Sequence, residues 1–322
     1  MRFKFLLVAA SICVLVCAAA AQTPAPFTLH DLGHGVWAAI DNPAAKSAQS
    51  GANAGFIIGD DGVLVVDTFQ RTEAAQQLLD AIREKTKLPI RFVVNTHYHL
   101  DHVMGNNIFA NAGAIVLAQD NVRVWERTEN KKFFGAKITP EQTKMVESLG
   151  LPSLTYRAGI TVYLGSRQVF IHSFPGHTGG DSAVSIPDAN VVFMGDLFWC
   201  HTLPNLIDAS TKPLIDTLDL AIEDHPEATF VPGHGEVGHL QDVKDFRNYV
   251  ADLRADVAQA QSAGKSGDAL IAAVLPELQQ KYGSWNFFPH FSKTDIHYTD
   301  LELAGQKHIP QQKHIPQPPA AH

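Results

Sequence analysis

The chain has 322 residues, 45% of them hydrophobic, with 25 Lys plus Arg against 33 Asp plus Glu and a formal net charge of −8. That length exceeds a typical single domain, but one large α/β unit can hold it, and the apolar share supplies a sizeable core. The acidic balance shows no basic face and so gives no sign of nucleic acid as a partner, as against a small-molecule substrate.

Residues 1–21 read as a separate object. Arg2 and Lys4 give a short positive region, residues 5–16 are almost wholly apolar, and four alanines (18–21) precede Gln22. This is the pattern of a secretory signal peptide and predicts a periplasmic or secreted protein. The apolar run falls short of the roughly 20 residues that span a bilayer, so no stable membrane insertion is expected after cleavage. An uncleaved anchor is the alternative. Cys13 and Cys17 would leave with the leader. Cys200 would then stand alone, without an intrachain disulfide, which an oxidising compartment tolerates.

Residues 22–27 are a linker, and the folded domain is expected over 28–305. Strand patterns cover 35–40 and 54–59. Asp60-Asp61-Gly62 is a turn signal, and 63–67 completes a hairpin that ends on Asp67. Residues 72–86 carry Ala75, Leu78, Leu79 and Ile82 on one helical stripe. The β-branched run 90–95 predicts a buried strand.

Directly after it, Thr-His-Tyr-His-Leu-Asp-His (96–102) packs His97, His99, Asp101 and His102 into six positions. Imidazole is the commonest metal ligand among side chains, and carboxylate accompanies it on zinc. His97 and His99 alternate as on an extended segment, which excludes a one-face helical pair at i, i+4. A rigid strand end followed by a loop can aim neighbouring side chains at different metals.

Farther on, the pattern predicts a short helix near 103–111, a strand at 114–117 and a helix near 119–127. Residues 128–158 are polar and irregular, and read either as a flap over the site or as a surface helix pair. A hairpin follows over 160–172. A loop then presents His177, with Gly176, Gly179 and Gly180 letting the backbone pass close to a metal. Strands are expected at 183–186 and 190–194, with Asp196 ending the second. His172 alternates within a strand and reads as structural. His201 and Cys200 follow Asp196 closely. They read either as groups at the site mouth or as ordinary packing and surface residues. A helix at 211–224 and a strand at 228–231 lead to His234. Helices are expected at 240–262 and 267–282. The aromatic run 285–291 either reaches the site or caps the core. The tail 306–322 holds Lys-His-Ile-Pro-Gln twice and reads as disordered.

Taken together, His-x-His-x-Asp-His after a buried strand, Pro-Gly-His-Thr-Gly-Gly-Asp-Ser (175–182), Phe-Met-Gly-Asp (193–196) and Val-Pro-Gly-His-Gly (231–235) resemble the signature of the metallo-β-lactamase superfamily over about 28–240. The resemblance implies an αββα sandwich, two mixed β-sheets flanked by helices, here with a helical extension from about 240. It implies that His97, His99 and His177 hold one metal, that Asp101, His102 and His234 hold a second, and that Asp196 bridges them. Two Zn2+ per chain are expected, with iron or mixed metals as alternatives. A water ionised between the metals would attack a carbonyl, with Asp101 as the catalytic residue that orients it.

In the family an Asp at position 67 supports the metal loop; a plain turn residue is the other reading. Asp at 196, where zinc lactamases carry Cys or commonly Ser, is similar to thioesterases, lactonases and other hydrolases of the superfamily. The export signal argues against a cytosolic glutathione thioesterase. The expected function is therefore an exported hydrolase acting on an ester, lactone, thioester or amide, β-lactams among them. Two alternatives remain: an oxidoreductase similar to the one-iron persulfide dioxygenases, and a non-catalytic metal-binding accessory protein. Neither Gly-x-Ser-x-Gly nor a phosphate-cradling loop occurs.

Overall fold

The computed structural model describes residues 24–310. The leader read at 1–21 and residues 311–322 of the tail lie outside them. Strands β1 (Phe27–Asp31), β2 (Val36–Asp41), β3 (Ala54–Ile58) and β4 (Val63–Val66) form an antiparallel meander. Helix α1 (Thr72–Lys85) then carries the chain to β5 (Ile90–Val94), which lies parallel to β4. Two short helices, α2 (Leu100–Val103) and α3 (Asn106–Asn111), precede the parallel strand β6 (Ile115–Gln119). Helices α4 (Asp120–Trp125) and α5 (Pro140–Glu147) flank a 3-10 segment at Asn130–Lys137, and β7 (Leu154–Tyr156) closes the first sheet.

The second sheet is built from β8 (Gly159–Leu164), β9 (Arg167–Ser173), β10 (Ser182–Ile186) and β11 (Val191–Trp199), all antiparallel to their neighbours. Helix α6 (Thr211–Asp224) crosses over so that β12 (Thr229–His234) pairs in parallel with β11. Helices α7 (Leu240–Ser262), α8 (Gly267–Tyr282) and α9 (Phe288–Leu303) end the described chain.

The period of two explains the layering. On β2, Val36, Ala38 and Ile40 enter the core between the sheets, while Ala39 turns the other way. On β4, Leu64 and Val66 face the second sheet and Val63 and Val65 face α1, so this strand is buried on both sides. Opposite them stand Val169, Ile171, Val184, Ile186 and Phe193 of the second sheet. Helix α1 covers the first sheet with Ala75, Leu78, Leu79 and Ile82. Helices α6 to α9 cover the second with Leu214, Phe246, Leu253, Leu278 and Ile296. The result is the expected four-layer αββα sandwich.

Several boundaries differ from expectation. The helix read near 103–111 is broken at Gly105, where a Cβ would stand 2.3 Å from both Ala75 and the Thr68 carbonyl oxygen. Strand β11 does not end before Asp196 but runs through it to Trp199, with register shifts on either side of Gly195. Helix α9 is an addition to the sequence pattern, which marks only the aromatic run 285–291; Pro289 sits in its first turn, where a missing N–H costs nothing. Residues 306–310, read as part of the tail, include a tie to the fold: Lys307 Nζ donates to the carbonyls of Leu206, at 2.6 Å, and Ala209. Among the described residues no helix is long and apolar enough to cross a membrane.

Candidate metal centre

The 95–102 loop is tied down at both ends. Asp67 closes β4 with a left-handed backbone (φ 58°) and turns its carboxylate under the loop. Its Oδ1 accepts the Thr96 N–H at 2.8 Å, and its Oδ2 accepts the Thr96 hydroxyl at 2.7 Å and faces His102 Nδ1 at 2.8 Å. Asp67 therefore supports the loop and is not a plain turn residue. The buried amides of Asn95 and Asn106 exchange two hydrogen bonds of 2.9 Å. The His102 carbonyl receives the Thr68 hydroxyl at 3.1 Å. The second sheet brings the other groups. Asp181 accepts the Thr178 N–H at 2.7 Å and so braces the turn that carries His177. Asp196 projects from β11 and His234 ends β12.

All seven residues singled out in the sequence meet at this edge of the sandwich. The donor atoms of His97, His99, His177 and Asp196 lie within 4.8 Å of one another, and so do those of Asp101, His102 and His234. Asp196 stands between the two groups. Its Oδ2 is 3.2 Å from His177 Nε2 and 3.6 Å from His97 Nε2. Its Oδ1 is 3.2 Å from His102 Nε2 and 3.5 Å from His234 Nε2. Asp101 Oδ2 completes the second group at 3.2 Å from His234 Nε2.

The donor set fits divalent cations. The buried Nε2 atoms of His97, His102 and His234 and Oδ1 of Asp196 have no hydrogen-bond partner. One such orphan costs about 1–3 kcal/mol, so four aimed inward call for a shared partner. Burial, helped by the neighbouring His102, holds His97 well below its ordinary value, and burial takes His177 down to about 3. Both rings are thus neutral at pH 7, the form that ligates. Burial works against a charge on His234, but Asp196 and Asp101 outweigh it and lift that ring to about 9. A metal there would displace the proton.

One supporting residue escaped the sequence reading. Asp208 Oδ2 lies 3.0 Å from His99 Nε2, which turns His99 Nδ1 toward His177 Nε2 at 3.0 Å. Asp208 also accepts the Tyr98 hydroxyl at 2.6 Å and the Lys132 ammonium at 2.5 Å. Burial would raise its carboxyl, but the bond and charge of His99, with Lys132, hold it well below the carboxylate range. Nothing near position 208 in the chain signals this role; only folding brings it to His99.

Of the 128–158 segment, Asn130, Lys132 and Phe133 reach the metal loop and its support. Phe133 stands edge-on to the His99 ring at 5.1 Å. Phe133 also lines a cavity of about 510 Å³, together with the apolar Leu100, Met104, Phe134 and Met145 and the basic Lys46 and Arg71. None of His172, Cys200 and His201 adds a donor atom to the two groups. His172 lies exposed on β9. Cys200 is buried, its sulfur facing His201, and His201 faces Asp242. The aromatic run 285–291 does reach inward: Phe291 packs on Trp199, which stacks on His234 with ring centres 3.9 Å apart.

A profile of the metallo-beta-lactamase superfamily matches residues 49–234. Hydroxyacylglutathione hydrolases of Brucella ovis and Brucella suis are 25% identical over 182 residues, 56% of this chain, and the chain spans 62% of the length of these curated relatives. Among solved structures, a metallo-beta-lactamase from Pontibacter korlensis superposes with a TM-score of 0.56 at 20% identity, covering 70% of this chain and 99% of its own.

Proposed function

The chain belongs to the metallo-β-lactamase superfamily, and from that premise we propose that it is an exported, dizinc hydrolase of an ester, lactone, thioester or amide bond. The observation that carries this reading is the orientation of Asp196, one carboxylate oxygen toward each histidine group. His97, His99 and His177 would hold one ion and Asp101, His102 and His234 the other, with Asp196 shared. Nitrogen and oxygen donors in sets of three suit zinc with a position left open. Bound zinc supplies an acidified water and polarises the carbonyl to be cleaved.

The protein's own groups do the rest. Asp101, whose carboxylate is a quarter exposed, is the seat for a proton leaving the water and orients its attack. Asp67 and Asp208 keep the rings of His102 and His99 in the ligating tautomer. The cavity beside Phe133 receives the apolar part of the substrate, and Lys46 and Arg71 give its rim a positive charge. The hydroxyacylglutathione hydrolases among the relatives favour the thioester end of the range, while the leader proposed at 1–21 argues against glutathione itself. A one-iron oxidoreductase would give no use to the second donor set, Asp101, His102 and His234, and the hydrolase reading is preferred for that reason.

The test is a panel of ester, lactone, thioester and β-lactam substrates run with metal analysis. Two zinc ions per chain are expected, with turnover lost to a chelator and restored by zinc. One iron per chain, or turnover that survives chelation, would overturn the proposal.

A further inference from the structure

We propose that Cys200, His201 and Asp242, with Asp245 beside them, form a separate metal site for a thiophilic divalent cation of the zinc class. It goes beyond the hydrolase centre, whose donor set contains no sulfur. The donor atoms of Cys200, His201 and Asp242 lie within 4.8 Å of one another. Cys200 Sγ is 3.9 Å from His201 Nδ1. On the other side of the ring, Nε2 is 3.5 Å from Asp242 Oδ1 and 3.9 Å from Asp245 Oδ2. Tetrahedral zinc, with bonds of about 2.3 Å to sulfur and about 2.0–2.1 Å to nitrogen or oxygen, holds such atoms about 3.5 Å apart.

The elements are placed for it. Cys200 and His201 follow the last residue of β11, and Asp242 sits in the first turn of α7, from a different part of the chain. Asp242 Oδ2 is used by the His239 N–H at 2.8 Å, which leaves Oδ1 for the site. Cys200 is 5% exposed, and its sulfur points at the ring and not into the apolar core alone. The His201 side chain is 53% exposed, so an ion has an open path, and rotation of that ring chooses which nitrogen binds. Thiolate with imidazole selects zinc-class ions over magnesium or calcium. Binding releases the thiol proton to solvent.

An ion here would join the end of β11 to the start of α7. The Cys200 N–H donates to the His234 carbonyl at 3.0 Å, so the same clamp would stiffen the segment that carries His234.

Cobalt(II) loaded into the full chain tests this. A thiolate-to-cobalt charge-transfer band in the near ultraviolet is expected, together with one metal equivalent beyond those of the histidine–aspartate centre. Cys200→Ser should abolish the band and remove that equivalent. The exposed-side variants His201→Ala and Asp242→Asn should weaken cobalt binding at this site at least tenfold. Absence of the band in the wild-type chain would overturn the proposal, as would a band that survives Cys200→Ser or is indifferent to both other variants. If Cys200→Ser fails to fold, His201→Ala still decides. Failure of the hydrolase reading would be seen separately, as loss of the sulfur-free cobalt bands while the charge-transfer band remains.

Discussion

Asp196 can face two histidine groups because Gly233 leaves it room. A Cβ at position 233 would stand 1.9 Å from Asp196 Oδ1 and meet the backbone of Gly195 as well, so the carboxylate has to move. A displacement of about 1 Å at a reacting centre can cost about 100-fold in rate. Gly233→Ala is therefore expected to lower hydrolysis by that order and to reduce bound metal, both measured on folded protein; unchanged metal content would contradict the shared role of Asp196. Asp208 acts one step farther out, through His99 Nε2. Asp208→Asn should keep the fold and weaken metal binding by about 10–100-fold, measured by competition with a chelator. The seven inward-facing residues were legible in the sequence because they fall in short motifs that resemble the superfamily signature, although Asp196 lies inside β11 and not at its end. Asp208, Tyr98 and Lys132 were not, since their partnership is made by folding across 110 positions at its widest.

At the scale of elements, the sequence revealed whatever rests on periodicity. Helices α1, α6, α7 and α8 and the hairpin β8–β9 carry regular apolar patterns, and each stands where that pattern predicts. The short pieces between Asn130 and Tyr156 do not. Segment Asn130–Lys137 is a 3-10 stretch interrupted at Gly135, and α5 has only eight residues, so neither has room for a helical stripe. Their placement comes from tertiary contact: Asn130 Nδ2 donates to the Tyr98 carbonyl at 2.7 Å and so hangs the segment on the metal loop. Phe133, still 37% exposed, then forms a wall of the cavity. Phe133→Ala should raise KM for a long-chain acyl substrate about tenfold, about 1.4 kcal/mol, with little change for the acetyl analogue. Equal effects on both would mean that the ring positions His99 and does not bind substrate.

Among the described residues, the metal edge and the C-terminal helices share one hydrophobic core, and such a body is expected to unfold as a unit. Leu270, Val274, Leu278, Phe288 and Ile296 of α8 and α9 share a core with Phe198 and Trp199 of β11. Buried Asp295 on α9 accepts the Tyr249 hydroxyl of α7 at 2.7 Å, which fixes the angle between those helices. Global stability therefore reports on any buried group that titrates. Glu126, at the end of α4, is fully buried, and neither carboxylate oxygen makes a well-formed hydrogen bond. Burial, opposed only in part by Arg127, Arg123 and the Asn106 amide, lifts its carboxyl from 4.5 to about 8. Between those values the folded chain keeps a proton that the unfolded chain has lost. Stability from this group is thus complete below about 4.5, declines as pH rises, and is gone above about 8. The slope is on the order of 1.4 kcal/mol per pH unit, a few kcal/mol in all. Glu126→Gln removes the titrating proton and should flatten that decline. In urea denaturation its advantage over the wild-type chain should be smallest near pH 5 and largest above pH 8. Parallel curves across that range would mean that Glu126 finds a partner for its charge.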